Sequence, residues 1–169
     1  MSFSDAASVA VVVDGHAHLD AVSDVENSLK EAYEKGVVAV VGVGMDLSSN
    51  RTILELANRF PRRVYPAVGL HPWKVNARGL DEELEFVCQH LPEAIALGEV
   101  GLDYKMKDTK ALQIEAFQIL LREAARLDKP AITHSRFSHA RTLQLLSESN
   151  VRRAVFHWYS GPDDVLDIR

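Results

Sequence analysis

Histidines carry the clearest chemical signal in this sequence, which holds seven of them in 169 residues. His16 and His18 stand two apart in the segment Asp14 to Asp20, directly after a short apolar run. Side chains at positions i and i+2 of an extended segment point to the same side, so these two imidazoles can bind one divalent transition metal. The alternative interpretation is a pair of surface loop histidines.

The other histidines differ in where they fall. His71 follows the third predicted strand, His134 closes the fifth and His157 closes the sixth, whereas His90 and His139 fall on predicted helices and are interpreted as surface or cap residues. The carboxyl ends of parallel strands form the active-site face of a barrel. Each of these histidines alone is better explained as structural, but together they predict a metal site.

A carboxylate lies at the end of the fourth predicted strand. Glu99 stands in Gly98-Glu99-Val100-Gly101, where flanking glycines allow the backbone to approach a ligand closely. A carboxylate can bridge two cations about 3.5–4 Å apart, which is a recurrent hydrolytic arrangement. The alternative for Glu99 is a cap of the next helix, and Asp103 is interpreted as a residue that orients the loop.

The elements that must position these residues alternate along the chain. Near-continuous apolar runs predict parallel strands buried on both faces. The predicted strands are Val9–Val13, Val37–Val43, Val64–Val68, Ala94–Leu97, Ala131–Thr133 and Ala154–Phe156. Helices are predicted from a capping box at Ser23–Glu26, from apolar repeats at Ile53–Phe60 and Phe117–Leu127, and more weakly at 80–90 and 138–149. No linker or low-complexity segment divides the chain, so we expect one domain over residues 1–169.

The spacing of the strands favours a barrel. The six predicted strands begin at 9, 37, 64, 94, 131 and 154, so that one βα unit takes about 29 residues. Eight such units approach the ~250 residues of a (β/α)₈ barrel. We therefore expect a TIM-barrel type fold with six units present, strands 7 and 8 missing and a last helix over Pro162–Arg169. An open doubly wound sheet is the alternative.

The net charge and the cysteine content limit the partners and the compartment that we expect for this protein. Nineteen basic and 24 acidic residues give a net charge of −5, which argues against a polyanion binder that works through a broad basic face. The single cysteine, Cys88, suits a reducing compartment, and the longest apolar run near the start ends at Asp14. We predict a cytoplasmic protein without membrane association. The first and sixth strands are expected to be open apolar edges, through which copies of the chain can associate.

Five motifs in order carry a family resemblance. His-x-His-Leu-Asp, Gly-Leu-His-Pro, Gly-Glu-Val-Gly-Leu-Asp-Tyr, Thr-His-Ser-Arg and Phe-His-Trp-Tyr-Ser-Gly resemble the TatD family of metal-dependent deoxyribonucleases, in the amidohydrolase superfamily. The resemblance runs from Val11 to Gly161. It implies two divalent cations that polarise a phosphodiester and activate water.

The resemblance also implies roles for individual residues. His16 and His18 would hold one metal, His134 and His157 the other, and the catalytic Glu99 would bridge them. His71 would lie near the substrate phosphate. Arg136 would stabilise the charge that develops there, or else form a salt bridge that holds its loop. The metal identity among Zn, Mn, Mg, Fe and Ni stays open.

The function implied is hydrolysis of DNA that is single-stranded or is attacked at strand ends, or hydrolysis of a small phosphoester. The chain departs from the family in one respect, because the metal-binding Asp expected near an eighth strand has no counterpart. Asp163 and Asp164 are better explained as first-turn residues of the last predicted helix. Two alternatives follow: an amidohydrolase-type hydrolase that acts on a small molecule, and a truncated, non-catalytic homologue.

Overall fold

The computed structural model describes residues 11–163, which form one parallel sheet with helices between its strands. The strands are β1 Val12–Ala17, β2 Val37–Val43, β3 Val64–Val68, β4 Ala96–Asp103, β5 Ala131–Arg136 and β6 Ala154–Phe156. The helices are α1 Val25–Glu34, α2 Leu47–Arg59, α3 Leu80–His90, α4 Lys110–Arg126 and α5 His139–Glu148, with single 3₁₀ turns at Leu19–Ala21 and Lys107–Thr109.

The strand order confirms the incomplete barrel. The strands pair as β1-β2-β3-β4-β5-β6, each parallel to the next, whereas a doubly wound sheet reverses its order at a switch point. The sheet also curls: the rings of His16, in β1, and His157, directly after β6, stack with centroids 3.6 Å apart. The two edge strands therefore approach each other at their carboxyl ends.

Three strands have their predicted bounds, and three differ. β1 is described from Val12 and continues to Ala17, so that His16 lies within the strand rather than after it; Val9 lies outside the described residues. β4 begins later than predicted and continues to Asp103, and β5 continues to Arg136. Polar residues extend both strands because β4 and β5 pair with each other there, from Val100 onward.

The N-termini of two helices also differ from those that the sequence predicts. The cap of α1 is Asp24 rather than Ser23, and its carboxylate accepts a hydrogen bond from the Asn27 amide at 3.1 Å. Helix α2 begins well before its apolar repeat, because Asp46 and Ser49 form a capping box there. Of the predicted last helix, residues beyond Asp163 lie outside the described part.

The main core lies between the sheet and its covering helices. Phe117, Leu120 and Leu121 of α4 pack with Leu97 and Leu102 of β4, and none is more than 1% exposed. Burial of such a side chain contributes about 1.5–3 kcal/mol. This packing holds β4, the strand that carries Glu99, along its whole length.

The interior of the curled sheet is open on one side. A cavity of about 890 Å³ extends between β1 and β6. Val12 and Val13 of β1 are 47% and 58% exposed, and Val155 of β6 is 60% exposed. Both edges thus present apolar side chains to solvent. None of the helices in residues 11–163 is long and apolar enough to cross a membrane.

Candidate metal centre

One buried carboxylate organises the centre. Glu99, at 2% exposure, lies at the carboxyl side of the sheet with four imidazoles around it. Its Oε2 is 3.3 Å from Nε2 of His16 and 3.4 Å from Nε2 of His18. Its Oε1 is 3.4 Å from Nδ1 of His134 and 3.6 Å from Nε2 of His71. The structure therefore brings together predicted site residues from four strand ends.

The charge of Glu99 is fixed by these neighbours. Burial alone raises the pKa of a carboxyl group, but hydrogen bonds from His134, His16, His18 and His71 outweigh it and hold the pKa of Glu99 far below its usual 4.5. Glu99 is therefore ionised at any ordinary pH. A buried anion surrounded by imidazoles is a natural ligand for a divalent cation.

Candidate ligand atoms in the described residues form two groups, in each of which all atoms lie within 4.8 Å of one another. One contains His16, Glu99 and His157, and the other contains His71, Glu99 and His134. This grouping differs from the pairing that the resemblance implies, because His16 and His157 fall together. His18 stays close to the first group, with its Nε2 3.2 Å from Nε2 of His16.

Backbone hydrogen bonds distinguish His18 from His71. Nδ1 of His18 lies 3.0 Å from the Val43 carbonyl oxygen, which only accepts, so Nδ1 carries a proton and Nε2, which faces Glu99, is the nitrogen available to a cation. Nδ1 of His71 instead accepts from the backbone N–H of Trp73 at 3.1 Å, so Nε2 carries the proton. The backbone thus directs Nε2 of His18 to a metal, whereas it makes Nε2 of His71 a hydrogen-bond donor.

The ring pair at the sheet edges is also suited to metal binding. His16 and His157 stack with an interplanar angle of 5°. Burial, followed by the neighbouring His16, lowers the pKa of His157, which keeps its ring neutral and available as a ligand. Nδ1 of His16 is buried without a hydrogen-bond partner among the described residues. An orphaned nitrogen on a ring whose other nitrogen contacts a buried carboxylate fits a cation site.

A buried asparagine that the sequence patterns did not reveal supports Glu99 from behind. Asn50 of α2 is fully buried; its Nδ2 donates to the Gly69 carbonyl at 2.8 Å, and its Oδ1 accepts from the Gly69 N–H at 3.0 Å. Gly69 in turn lies against the Glu99 backbone, where a Cβ would be 2.6 Å from the Glu99 carbonyl oxygen. The available signal was that Asn50 stands three residues before Ile53 and so shares the helix face of the apolar repeat.

Asp103 lies against a predicted ligand rather than only shaping its loop. Its Oδ2 accepts from Trp73 Nε1 at 2.7 Å and is 3.3 Å from His134 Nε2, and its Oδ1 accepts from the Lys105 N–H at 2.9 Å. Burial raises the pKa of Asp103, but Trp73, Lys105 and His134 together hold it below its usual 3.8. Asp103 is therefore a buried, ionised acceptor.

The mouth of the centre is a second cavity of about 610 Å³, lined among others by His71, Glu99 and Arg136. Arg136 forms no ion pair among residues 11–163 and lies beside Phe137, with its guanidinium carbon 5.8 Å from the ring centroid. Trp73 and Trp158, at 50% and 88% exposure, also line the mouth. The opening thus combines one unpaired cation with two exposed indoles.

Comparison with known proteins places this arrangement in a family. The family model described as "TatD related DNase" matches residues 13–167. The chain belongs to the TatD family. The resemblance of its five motifs is thereby confirmed, and the half-barrel corresponds to the fold of solved TatD structures.

Individual relatives support the same family membership. The Homo sapiens protein named "Deoxyribonuclease TATDN3" is 31% identical over 91% of this chain and 62% of its own length. The Edwardsiella piscicida protein named "3'-5' ssDNA/RNA exonuclease TatD" is 32% identical over 85% of this chain and 57% of its own. The crystal structure of YJJV, a TatD homologue from Escherichia coli, superposes with a TM-score of 0.77 at 30% identity, over 90% of this chain and 62% of that one. The TatD chain described here thus spans about three fifths of the length of these relatives.

Proposed function

We propose that this TatD chain hydrolyses phosphodiesters with two bound divalent cations, and that its substrate is the end of a single-stranded nucleic acid. The observation that carries the proposal is the buried, ionised Glu99 in contact with four imidazoles. The printed name of the E. piscicida relative, an exonuclease of single-stranded DNA and RNA, supports the substrate class.

The donor set fits two cations that share Glu99. We propose that His16, His18 and His157 hold one cation and that His134 holds the other. Imidazole and carboxylate ligands suit Zn²⁺, Fe²⁺, Ni²⁺ and Mn²⁺, and availability decides among them. When bound, such cations neutralise phosphoryl charge and lower the pKa of water.

The remaining residues of the mouth act on the substrate in this proposal. The Nε2–H of His71 donates to a phosphoryl oxygen, since its Nδ1 is already an acceptor for Trp73. The guanidinium of Arg136 binds a second phosphoryl oxygen and stabilises the charge that grows in the transition state. The indoles of Trp73 and Trp158 present faces on which unpaired bases stack.

The test uses the chain loaded with Zn²⁺ or Mn²⁺. Labelled single-stranded DNA, RNA, bis-(p-nitrophenyl) phosphate and simple amides are offered in parallel. We expect shortening of the single strands and loss of at least 10²-fold in rate in Glu99→Gln. Glu85→Gln, the same change at an exposed position, is the control. Cleavage of amides alone would show that the chain is a hydrolase of small molecules. Metal binding without any hydrolysis would show that it is a non-catalytic homologue.

We also propose that copies of the chain associate through the open edges, which expose Val12, Val13 and Val155. The mass in solution, measured by light scattering at several concentrations, tests this. Val13→Lys places a charge on the edge and should favour the monomer, whereas Val22→Lys, also at an exposed valine, should not. A single domain and a reducing, cytoplasmic location, with Cys88 as a free thiol, complete the proposal.

A further inference from the structure

The backbone and the side chain of Asp103 are both fixed by hydrogen bonds. It ends β4 and is 1% exposed. The side chain of Gln113, on α4, binds its backbone on both sides: Gln113 Oε1 accepts from the Asp103 N–H at 2.8 Å, and Gln113 Nε2 donates to the Asp103 carbonyl at 3.3 Å. With the Lys105 N–H on Oδ1, only Oδ2 is left to face the metal centre.

The contacts of that oxygen orient the ring of His134. A carboxylate only accepts and an indole N–H only donates, so Oδ2 accepts from Trp73. Nε2 of His134, 3.3 Å from the same oxygen, must also be a donor and carry the proton. The other ring nitrogen, Nδ1, lies 3.4 Å from Glu99 Oε1 and is therefore the one that faces the metal centre.

We propose that Asp103 is a positioning residue that makes Nδ1 of His134 the metal-binding nitrogen and, through the same Oδ2, fixes the Trp73 indole at the mouth. The metal half of this inference rests on the proposed function. A carboxylate that orients a metal-binding histidine strengthens the ligand, and its loss typically costs ~10–100-fold in metal affinity.

The contacts argue against Asp103 as a metal ligand itself. Oδ1 is taken by the Lys105 amide, and Oδ2 faces two donors. Asp103 belongs to neither group of ligand atoms in the described residues, both of which centre on Glu99. The same carboxylate instead joins a ligand of the centre to an aromatic side chain that is half exposed at the mouth. Trp73 and His134 are thereby held in one fixed arrangement.

The variant Asp103→Asn tests the inference with little change of shape. An asparagine whose Oδ1 keeps the Lys105 bond turns its NH₂ toward His134, so that Nε2 must accept and cannot keep its proton. We expect the ¹⁵N spectrum of the metal-free chain to show Nε2 of His134 protonated in the wild type and unprotonated in Asp103→Asn. The Kd for Zn²⁺, from competition with a chromophoric chelator, should rise ~10–100-fold.

Two control variants separate positioning from general damage. Asp108→Asn makes the same change at an exposed residue and should leave both readouts unchanged. Trp73→Phe removes the indole donor but keeps the bond between Asp103 and His134, so the protonated nitrogen should stay Nε2 and the Kd within about threefold. Emission of Trp73, measured in a Trp158→Phe background, should shift to the red in Asp103→Asn as the indole loses its acceptor.

The outcomes distinguish this inference from the proposed function. A wild-type Nε2 that carries a proton and loses it in Asp103→Asn supports the inference even if the chain hydrolyses nothing. A wild-type Nε2 without a proton overturns it, and that spectrum requires no variant to fold. An unchanged protonation pattern and an unchanged Kd in a folded Asp103→Asn overturn it as well.

Discussion

Replacement of Gly69 by alanine tests whether Glu99 is held by backbone contact. A Cβ at Gly69 would lie 2.6 Å from the Glu99 carbonyl oxygen and 2.6 Å from the Gly98 carbonyl carbon, against an ordinary contact of at least 3.4 Å. The two segments must therefore separate by roughly 0.8 Å. Gly69 is tied on both sides to Asn50, so the β4 backbone beside Glu99 has to move.

The expected cost has two parts. Overpacking of this kind lowers the free energy of unfolding by ~1–3 kcal/mol. A displacement approaching 1 Å at a catalytic group costs up to ~10²-fold in activity. Because Glu99 contacts both groups of ligand atoms, we expect the Kd for Zn²⁺ to rise by at least tenfold at both metal positions in Gly69→Ala.

The assay is a chelator competition titration, with urea unfolding of the metal-free chain alongside it. Gly15→Ala is the matched control, since it lies next to His16 but no heavy atom comes within 4 Å of its added Cβ. We expect Gly15→Ala to keep the wild-type Kd within about threefold. A folded Gly69→Ala chain that also keeps it would refute the view that close backbone packing positions Glu99.

Three further changes probe the surroundings of the centre. Asn50→Ala removes two buried hydrogen bonds and should lower the free energy of unfolding by ~2–5 kcal/mol in urea, whereas Asn76→Ala, which removes an exposed bond to a carbonyl, should cost less than ~0.5 kcal/mol. Asp46 has a pKa below its usual 3.8, because bonds from Lys74 and Ser49 outweigh its burial. Ionised Asp46 contributes to the free energy of unfolding fully above pH 3.8, and this contribution is lost as the pH falls through the lower pKa of the folded chain. The difference in free energy of unfolding between wild type and Asp46→Asn should therefore narrow between pH 6 and pH 3. A constant difference would contradict this reasoning. Trp158→Ala should weaken binding of single-stranded DNA by ~1–3 kcal/mol, as measured by fluorescence anisotropy, with the Kd for Zn²⁺ unchanged as the control.

Local patterns predicted the strands where burial follows from apolar composition. β2, β3 and β6 have the bounds that their valine-rich runs indicate. β4 and β5 extend further, because Glu99 and His134 find partners on neighbouring strands that offset the cost of burying polar groups. No periodicity within one segment carries that information.

The same distinction applies to the site. The histidines at strand ends and Glu99 were predicted as a set, and the structure brings them together. The bonds that decide their roles could not be predicted, since they join distant segments: Val43 to His18, Trp73 to Asp103, and Asp103 to His134. Residue type shows that an imidazole is present, but only the folded backbone determines which nitrogen faces the metal centre.

The stacked rings of His16 and His157 have a thermodynamic consequence. His16 lies in the first strand of the described sheet and His157 directly after its last strand, so the curvature of the whole sheet sets the distance between them. A cation held by both rings would favour the curled sheet over a flatter one. By linkage, whatever fills the cavity between β1 and β6 and stabilises the same curvature raises metal affinity, and bound metal raises the affinity for that occupant by the same factor. The lumen of the barrel and the chemistry at its mouth then form one coupled equilibrium.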